Sequence, residues 1–524
     1  CPAPASTGAR CQVTFADVPG CPPAGVPRPS RVAPVSLAAL TQLCRGDLVG
    51  PDAAATGVTG VTAGSALVRP GDLFAAVPGR AAHGAQFAAG AVEAGAAAVL
   101  TDPAGRELVP DGVAVLVVDD VRAALGPVSA EVYGHPSRQL AVLGVTGTSG
   151  KTTTTFLVRA GLRAAGRTAG VIGTVATLIG DDEVKTGFTT PEAPEAQALL
   201  AVMHERGVTD VAMEVSSHAL AMGRADGIEF AVGAFTNLSE DHLDFHADME
   251  DYFQAKLRLF DATRTRNSVI VVDDPWGRRI VDLVGPNATV STGDAQGIWR
   301  ASEIADRPDG STSFRVTGPG VDIHTGCAIP GRYNVANALL ALAILHEDGV
   351  AAEVAAPAVA TASVPGRMER IDAGQPFLAV VDYSHKPAAV QGALQALRPL
   401  TRGQLIIVLG CGGDRDRGKR PHMGEIAARG ADRLVVTDDN PRSEDPAAIR
   451  AAMLAGALAV PASERGEVVE IGDRAEAIAA AVAAASPGDT VLIAGKGHET
   501  GQEIAGTVFP FDDRAVLRAA LEQR

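Results

Sequence analysis

Val142-Leu143-Gly144-Val145-Thr146-Gly147-Thr148-Ser149-Gly150-Lys151-Thr152-Thr153-Thr154-Thr155 decides how this chain is read. An apolar run leads into glycines, then a lysine, then hydroxyl residues and a helix-like segment. That order predicts a strand, a tight turn and a helix N-terminus. Backbone N–H groups in such a turn, and the positive end of the helix dipole, point at an anion. Gly147, Thr148, Ser149, Gly150, Lys151, Thr152 and Thr153 form the cradle, with Lys151 placed to neutralise terminal phosphates and the Thr152 hydroxyl to meet Mg²⁺. The general P-loop spacing asks for a glycine where Val145 stands, so the motif is the shorter G-T-x-G-K-T-T. The stretch predicts a nucleoside triphosphate site.

Working outward, 524 residues leave room for roughly two to four domains. The chain is 46% apolar but only 4% aromatic, so alanine, valine and leucine must fill its cores. A net charge of −16 argues against a nucleic-acid partner, whose affinity comes largely from neutralising phosphates. No run of about 20 apolar residues predicts membrane insertion. Cys1, Cys11, Cys21, Cys44, Cys327 and Cys411 lack the paired spacing of a metal site and read as reduced thiols of a cytoplasmic protein.

Residues 1–30 are rich in proline, glycine and alanine, lack a signal-peptide pattern, and read as a flexible extension. Residues 31–139 read as a small α/β domain, with strands at 72–77, 96–100 and 113–118 and a helix at 85–94. The loop 79–84, which contains Arg80, is a place for a ligand or merely a connection. Residues 140–363 alternate valine-rich runs (168–172, 211–215, 231–235, 269–272) with helical ones, which predicts a parallel sheet covered on both faces. Residues 364–524 repeat the alternation, with strands at 377–381, 405–409, 434–437, 468–471 and 491–494, and read as a Rossmann-like doubly wound domain. The fold class is therefore three-domain α/β.

Ligands of such sheets bind beyond the carboxyl ends of strands. Glu214 closes one strand, and the run Asn237–His246, containing His242, follows another. Glu214, His242 and Thr152 suit a Mg²⁺ ion that bridges phosphates and keeps several waters. A helical zinc motif on His242 and His246 would need a glutamate where Leu243 stands. Lys256, on a helical segment, reads by itself as a solvated surface lysine. In the last domain Arg415 and Arg442 are planar forks for carboxylates, and Glu499 suits an ammonium group, a set fitted to an amino acid with an extra carboxylate.

The loop Gly147–Thr153, the run Glu214–His218, Asn237–His246, Tyr252–Lys256, Gly331–Ala338, Asp382–His385 and Asp439–Arg442 occur in one order that resembles the Mur ligases of peptidoglycan synthesis, over roughly residues 57–514. The resemblance implies a UDP-substrate domain, a central ATPase and a C-terminal amino-acid domain. It implies that ATP meets Gly147–Thr153, Asn334, Asn337, Arg367 and Asp382. It makes Glu214 and His242 metal ligands and Lys256 a carbamate that helps hold Mg²⁺, with Lys151 completing the catalytic set. Ser65, Arg80, Thr189, Thr190, Ser216 and Arg224 then touch UDP-MurNAc-L-Ala-D-Glu. Arg415, Asp439, Asn440, Pro441, Arg442, Gly495 and Glu499 form a pocket for meso-diaminopimelate, the Asn-Pro-Arg run marking that diacid rather than L-lysine.

The chain departs from the family at Gly64-Ser65-Ala66, where Asp-Ser-Arg is usual, at Met222, and at Ser384 and Lys386, where alanine and threonine are usual. The implied chemistry is formation of an acyl phosphate from ATP, followed by attack of the amine. The alternatives are the same ligase using L-lysine, a folylpolyglutamate-type ligase, and a nucleotide-dependent switch without turnover. A cytoplasmic monomer is expected.

Overall fold

The strand Ala141–Thr146, which ends in the phosphate loop, lies inside an eleven-stranded sheet. The computed structural model describes residues 25–79, 82–293, 295–307 and 309–524. In spatial order the parallel part of this sheet runs Ala169–Ile172, Asp210–Glu214, Ala141–Thr146, Phe230–Phe235, Thr265–Val271, Ala288–Ser291 and Trp299–Asp306. Antiparallel strands extend both edges: Thr177–Ile179 and Asp182–Val184 on one side, Thr312–Gly318 and Val321–Cys327 on the other. The central sheet is therefore mixed, where the sequence predicted only parallel strands. The added strand Thr312–Gly318 alternates buried and half-buried positions, with Thr312, Phe314 and Val316 buried and Ser313 and Arg315 half-buried, so it carries no continuous apolar run.

Alternation within the parallel strands divides the core in two. Leu143 and Val145 join Leu157 and Val158 of the helix Lys151–Ala164 and the helix Tyr333–Glu347 on one face. Val142, Val211 and Met213 meet Leu199 and Met203 of the helix Ala193–Glu205 on the other.

A six-stranded sheet follows in the order Glu369–Arg370, Leu378–Asp382, Thr490–Ala494, Leu405–Leu409, Arg433–Val436, Glu467–Glu470, parallel except at its first strand. Helices cover both of its faces. The five strands expected from valine and leucine runs are present here within about one residue at each end. One continuous apolar cluster runs from Leu143 and Leu339 through Val364 and Met368 to Val390, Leu394 and Leu409, so the central and C-terminal sheets share a core.

Nearer the N-terminus a five-stranded sheet orders Asp47–Val49, Val115–Val117, Ala98–Thr101, Asp72–Ala75 and Gly60–Thr62. The predicted helix 85–94 is a 3-10 turn, Gly84–Phe87, running into a helix, Ala88–Glu93. Of the expected extension 1–30, residues 1–24 lie outside the described part. The rest is tied down: Arg28 reaches the buried Asp72 at 2.5 Å, and Ser30 donates its backbone N–H to Glu205 at 3.0 Å. No helix among the described residues is long and apolar enough to cross a membrane.

Candidate active site

The phosphate loop takes its shape from two glycines. Gly147 and Gly150 have φ of 144° and 91°. A Cβ on Gly147 would lie 1.8 Å from Thr236 Oγ1, and one on Gly150 would lie 2.4 Å from Asn337 Oδ1, so side chains are excluded twice over. The Thr148 N–H donates to Asn237 O and the Ser149 N–H to Asn237 Oδ1, at 2.8 and 3.1 Å. The loop is thereby locked to the segment after the strand Phe230–Phe235. Asn334 and Asn337 sit beside it, joined by a 2.9 Å hydrogen bond from Asn337 Nδ2 to Asn334 Oδ1.

Two lysines converge on one carbonyl. Lys151 Nζ donates to Gly147 O and Thr148 O, each at 2.9 Å, and Lys256 Nζ donates to Gly147 O at 2.8 Å. Lys256 is 1% exposed, against the surface position its helical context suggests. It stands 4.4 Å from the centre of the Tyr252 ring. Burial, and then the neighbouring cation of Lys151, push its ammonium well below the ordinary lysine range. Burial lowers Lys151 too, opposed by the carboxylate of Glu214.

Glu214 is buried at its strand end. It accepts from the Thr152 hydroxyl at 3.0 Å and from the N–H and hydroxyl of Thr174 at 2.8 and 3.1 Å. Thr190 donates its hydroxyl to Glu214 O and accepts the Ser216 N–H, while Thr189 contacts Thr174 at 3.0 Å. Ser216 caps the helix Ser217–Ala221, and Arg224 pairs with Glu192 at 2.9 Å. The fold thus gathers Thr152, Thr189, Thr190, Ser216 and Glu214 around one strand end. Ser65 lies apart, in the short turn Ser65–Leu67 of the N-terminal sheet unit. Arg80 lies outside the described residues.

His242 has φ of 56°, a left-handed conformation that bulkier side chains rarely adopt and that clusters at functional sites. Burial, against the pull of Asp241, drops its imidazole to about 4, so it is neutral with a free lone pair at physiological pH. His246 turns away to Asp251 at 3.0 Å. Among the described residues no group of three or more His, Cys, Asp or Glu side chains is preformed for a metal ion.

Arg367 stacks over the Tyr383 ring at 4.5 Å and lends its charge to the field at Lys151. Asp382 accepts the Met368 N–H at 2.7 Å and also binds the Ser384 hydroxyl. A cleft of about 1180 Å³ opens between the central loop 240–244 and the C-terminal sheet. Arg415, Arg442, Asp439, Asn440, Gly495 and Glu499 line it, facing Asp241 and His242 from the central loop. Arg442 has φ of 52° and donates to Gly413 O at 2.7 Å. Its backbone is held by the hairpin Gly501–Ile504/Thr507–Pro510 through hydrogen bonds with Glu503 and Ala505. Pro441 sets the approach of that loop, since a Cβ on Gly413 would lie 1.9 Å from Pro441 O.

Sequence reasoning missed Thr174 and gave no role to Asp241, Tyr383 and Lys496, though they lie in or beside the motif runs; all four hold predicted residues in place. Only Lys386, already conspicuous as a departure from the family pattern, signalled itself. Among the described residues Cys44, Cys327 and Cys411 are free thiols.

Three family descriptions match in succession: the Mur ligase family, catalytic domain, over residues 57–133, the Mur ligase middle domain over 145–345, and the Mur ligase, glutamate ligase domain, over 366–497. The chain is 55% identical over 504 residues to a UDP-N-acetylmuramoyl-L-alanyl-D-glutamate–2,6-diaminopimelate ligase of Streptomyces coelicolor, covering 95% of this chain and 99% of that one. It is 50% identical over 495 residues to the Corynebacterium glutamicum protein of the same name, covering 92% and 96%. A solved structure of a ligase bearing that name matches with a TM-score of 0.68 at 30% identity, over 94% of this chain and 99% of the other. Folylpolyglutamate synthase of Mycobacterium tuberculosis shares the fold, with a TM-score of 0.57 at 19% identity over 71% and 92%. A glycine-shaped phosphate loop, a buried glutamate beside it and an arginine-lined cleft are thus parts of a chain that belongs to the Mur ligase family of ATP-dependent, amide-bond-forming ligases.

Proposed function

We propose that this chain joins meso-diaminopimelate to the D-glutamate γ-carboxylate of UDP-MurNAc-L-Ala-D-Glu, in peptidoglycan precursor synthesis. The observation that carries the reading is one cleft whose C-terminal wall sets two guanidinium forks, Arg415 and Arg442, beside the carboxylates of Asp439 and Glu499, with the loop 240–244 across from them. A diaminopimelate end carries a carboxylate and an ammonium, which are the partners of such a set. L-Lysine lacks the second carboxylate and forgoes the charge-assisted pairing one fork offers.

The γ-carboxylate attacks the γ-phosphorus of ATP, ADP leaves, and the acyl phosphate is then attacked by the amine with loss of phosphate. Two anionic centres must meet in the first step. The loop N–H groups and Lys151 neutralise that charge, Lys151 exchanging its bonds to Gly147 O and Thr148 O for phosphate oxygens. Thr189, Thr190, Ser216 and Arg224 orient the acceptor near Glu214, and Ser65 and Arg80 reach its UDP end. Asn334, Asn337, Arg367 and Asp382 frame the nucleotide. The C-terminal unit presents the amine through Arg415, Asn440, Arg442 and Glu499 and excludes water from the acyl phosphate.

Glu214, the neutral His242 and the Thr152 hydroxyl fit Mg²⁺, which takes few protein ligands and keeps waters and phosphate oxygens. When bound, it supplies charge neutralisation at the phosphates. The depressed ammonium of Lys256 favours the neutral amine, the form that adds CO₂ to give a carbamate. That anion beside Lys151 would serve the same metal.

The test is phosphate release and product mass from the purified chain with ATP, Mg²⁺ and UDP-MurNAc-L-Ala-D-Glu, in parallel with meso-diaminopimelate, L-lysine or no amino acid. Phosphate and a tripeptide product with diaminopimelate alone is the expected result. Turnover with lysine instead would overturn the pocket assignment. ATP binding without turnover in every arm, bicarbonate included, would overturn the ligase reading.

A further inference from the structure

Lys496 follows the strand Thr490–Ala494 and is 0% exposed. Its ammonium donates to Asn440 Oδ1 at 2.9 Å and to Glu499 Oε2 at 3.2 Å. It does not line the cleft; it lies behind Gly495, Asn440 and Glu499, which do.

The consequences for those two side chains are geometric. Asn440 Oδ1 accepts from Lys496 and also from the Glu503 N–H at 3.0 Å. A flipped amide would turn its NH₂ against two donors, so only one orientation is satisfied. That orientation sends Asn440 Nδ2 to Glu499 Oε2 at 2.9 Å. Glu499 Oε2 therefore holds two donors, while Oε1 has no hydrogen bond among the described residues. The Glu499 side chain is 33% exposed and faces the cleft. The turn that carries Lys496 is itself fixed. Glu499 N–H donates to Lys496 O at 3.0 Å, and a Cβ on Gly497 would lie 2.7 Å from both Gly366 O and the Tyr383 side chain.

We infer that Lys496 is a positioning residue for the incoming amino acid: it fixes the Asn440 amide and the Glu499 carboxylate so that Glu499 Oε1 meets the substrate ammonium. This rests on the reading of the cleft as the diaminopimelate pocket. The buried cation touches no substrate. It acts by fixing the carboxylate against rotation, so its loss weakens amino-acid binding while leaving ATP and the UDP substrate alone.

The experiment is steady-state kinetics on the full chain, with Lys496→Met, Lys496→Arg, Glu499→Gln and the double variant, varying each of the three substrates in turn. Lys496→Met is expected to raise the diaminopimelate KM by about tenfold, the equivalent of one lost charge-assisted hydrogen bond, with the KM for ATP and for the UDP substrate within about twofold. Lys496→Arg restores part of the loss. In the Glu499→Gln background, Lys496→Met adds less than about twofold, because both changes act through one carboxylate. An unchanged diaminopimelate KM in folded Lys496→Met, or fully additive effects, overturns the inference. If Lys496→Met does not fold, Lys496→Arg decides: a rise confined to the diaminopimelate KM supports the role, and a uniform fall in kcat overturns it. An unchanged diaminopimelate KM in Glu499→Gln would instead remove the pocket assignment itself.

Discussion

Lys386 donates its ammonium to Asp241 Oδ1 at 2.5 Å, joining the start of the C-terminal helix Pro387–Leu397 to the loop after the central strand Phe230–Phe235. Asp241 also accepts the backbone N–H of His242 at 2.9 Å. The ion pair therefore ties the amino-acid side of the cleft to the loop that carries a proposed metal ligand. Lys386→Thr should leave melting nearly unchanged, since a partly exposed pair contributes at most about 1 kcal/mol. It should lower kcat/KM for the amino acid about fivefold and flatten the salt dependence of that parameter. A salt dependence identical to that of the unmodified chain would show that the pair does not set the approach of the two units.

Lys151→Ala should reduce ligation by about a thousandfold or more, as loss of an electrostatic group aimed at developing charge does, with a normal circular dichroism spectrum. Among the described residues the lysine's hydrogen bonds go to two loop carbonyls, so the fold should not depend on it. Near-normal turnover would contradict the phosphate-loop role.

Arg442→Ala should raise the diaminopimelate KM about tenfold or more and the ATP KM hardly at all, because its guanidinium lies in the cleft wall. An equal rise in both would point to a disturbed loop.

Arg474 and Asp513 form a bidentate ion pair with both side chains 0% exposed, and Arg474 also donates to Ala494 O and Asp438 O. These carbonyls lie at, or two residues past, the ends of the strands Thr490–Ala494 and Arg433–Val436, which lead to Lys496 and Asn440. Arg474→Ala would strand a buried carboxylate and should cost about 3–5 kcal/mol in denaturant unfolding. A loss under about 1 kcal/mol would mean that water reaches the site.

Arg167 bridges Asp210 and Asp348, each at 2.6 Å, and both carboxylates are nearly buried. Burial and the adjoining Asp210 push Asp348 up to about 7. A carboxyl group raised above its unfolded value binds more protons when folded. Its contribution is therefore present at low pH and is lost as pH rises from about 4 through about 7. Asp348→Asn removes that slope. Melting compared at pH 5 and pH 8 should show the variant gaining on the unmodified chain at the higher pH; parallel curves would refute the raised Asp348 carboxyl.

The parallel strands were legible because burial on both faces demands continuous apolar runs, as in Leu405–Leu409 and Val491–Ala494. The edge from Trp299–Asp306 outward was not: Arg300, Glu303 and Arg315 interrupt it, and only packing of alternate residues reveals a strand. Single residues were legible where a motif constrained them, as at Gly147 and Gly150. Lys256 and Lys496 show the limit. Nothing local separates a buried lysine from a solvated one, because burial is decided by residues over a hundred positions away for Lys256 and over fifty for Lys496. Arg28 likewise reads as part of a loose extension until its partner, Asp72, is placed beside it.

The apolar cluster that runs from the central sheet through Val364 and Met368 into the C-terminal one has a mechanical meaning. Aliphatic contact carries no direction. Two surfaces joined this way shear past one another without breaking any particular bond, whereas an ion pair such as Lys386–Asp241 has a single seat. The joint between the units is thus a greased bearing with a few detents, Lys386–Asp241 and Arg370–Asp309 among them. Its travel is set by side-chain shape, and its stopping point by those polar seats.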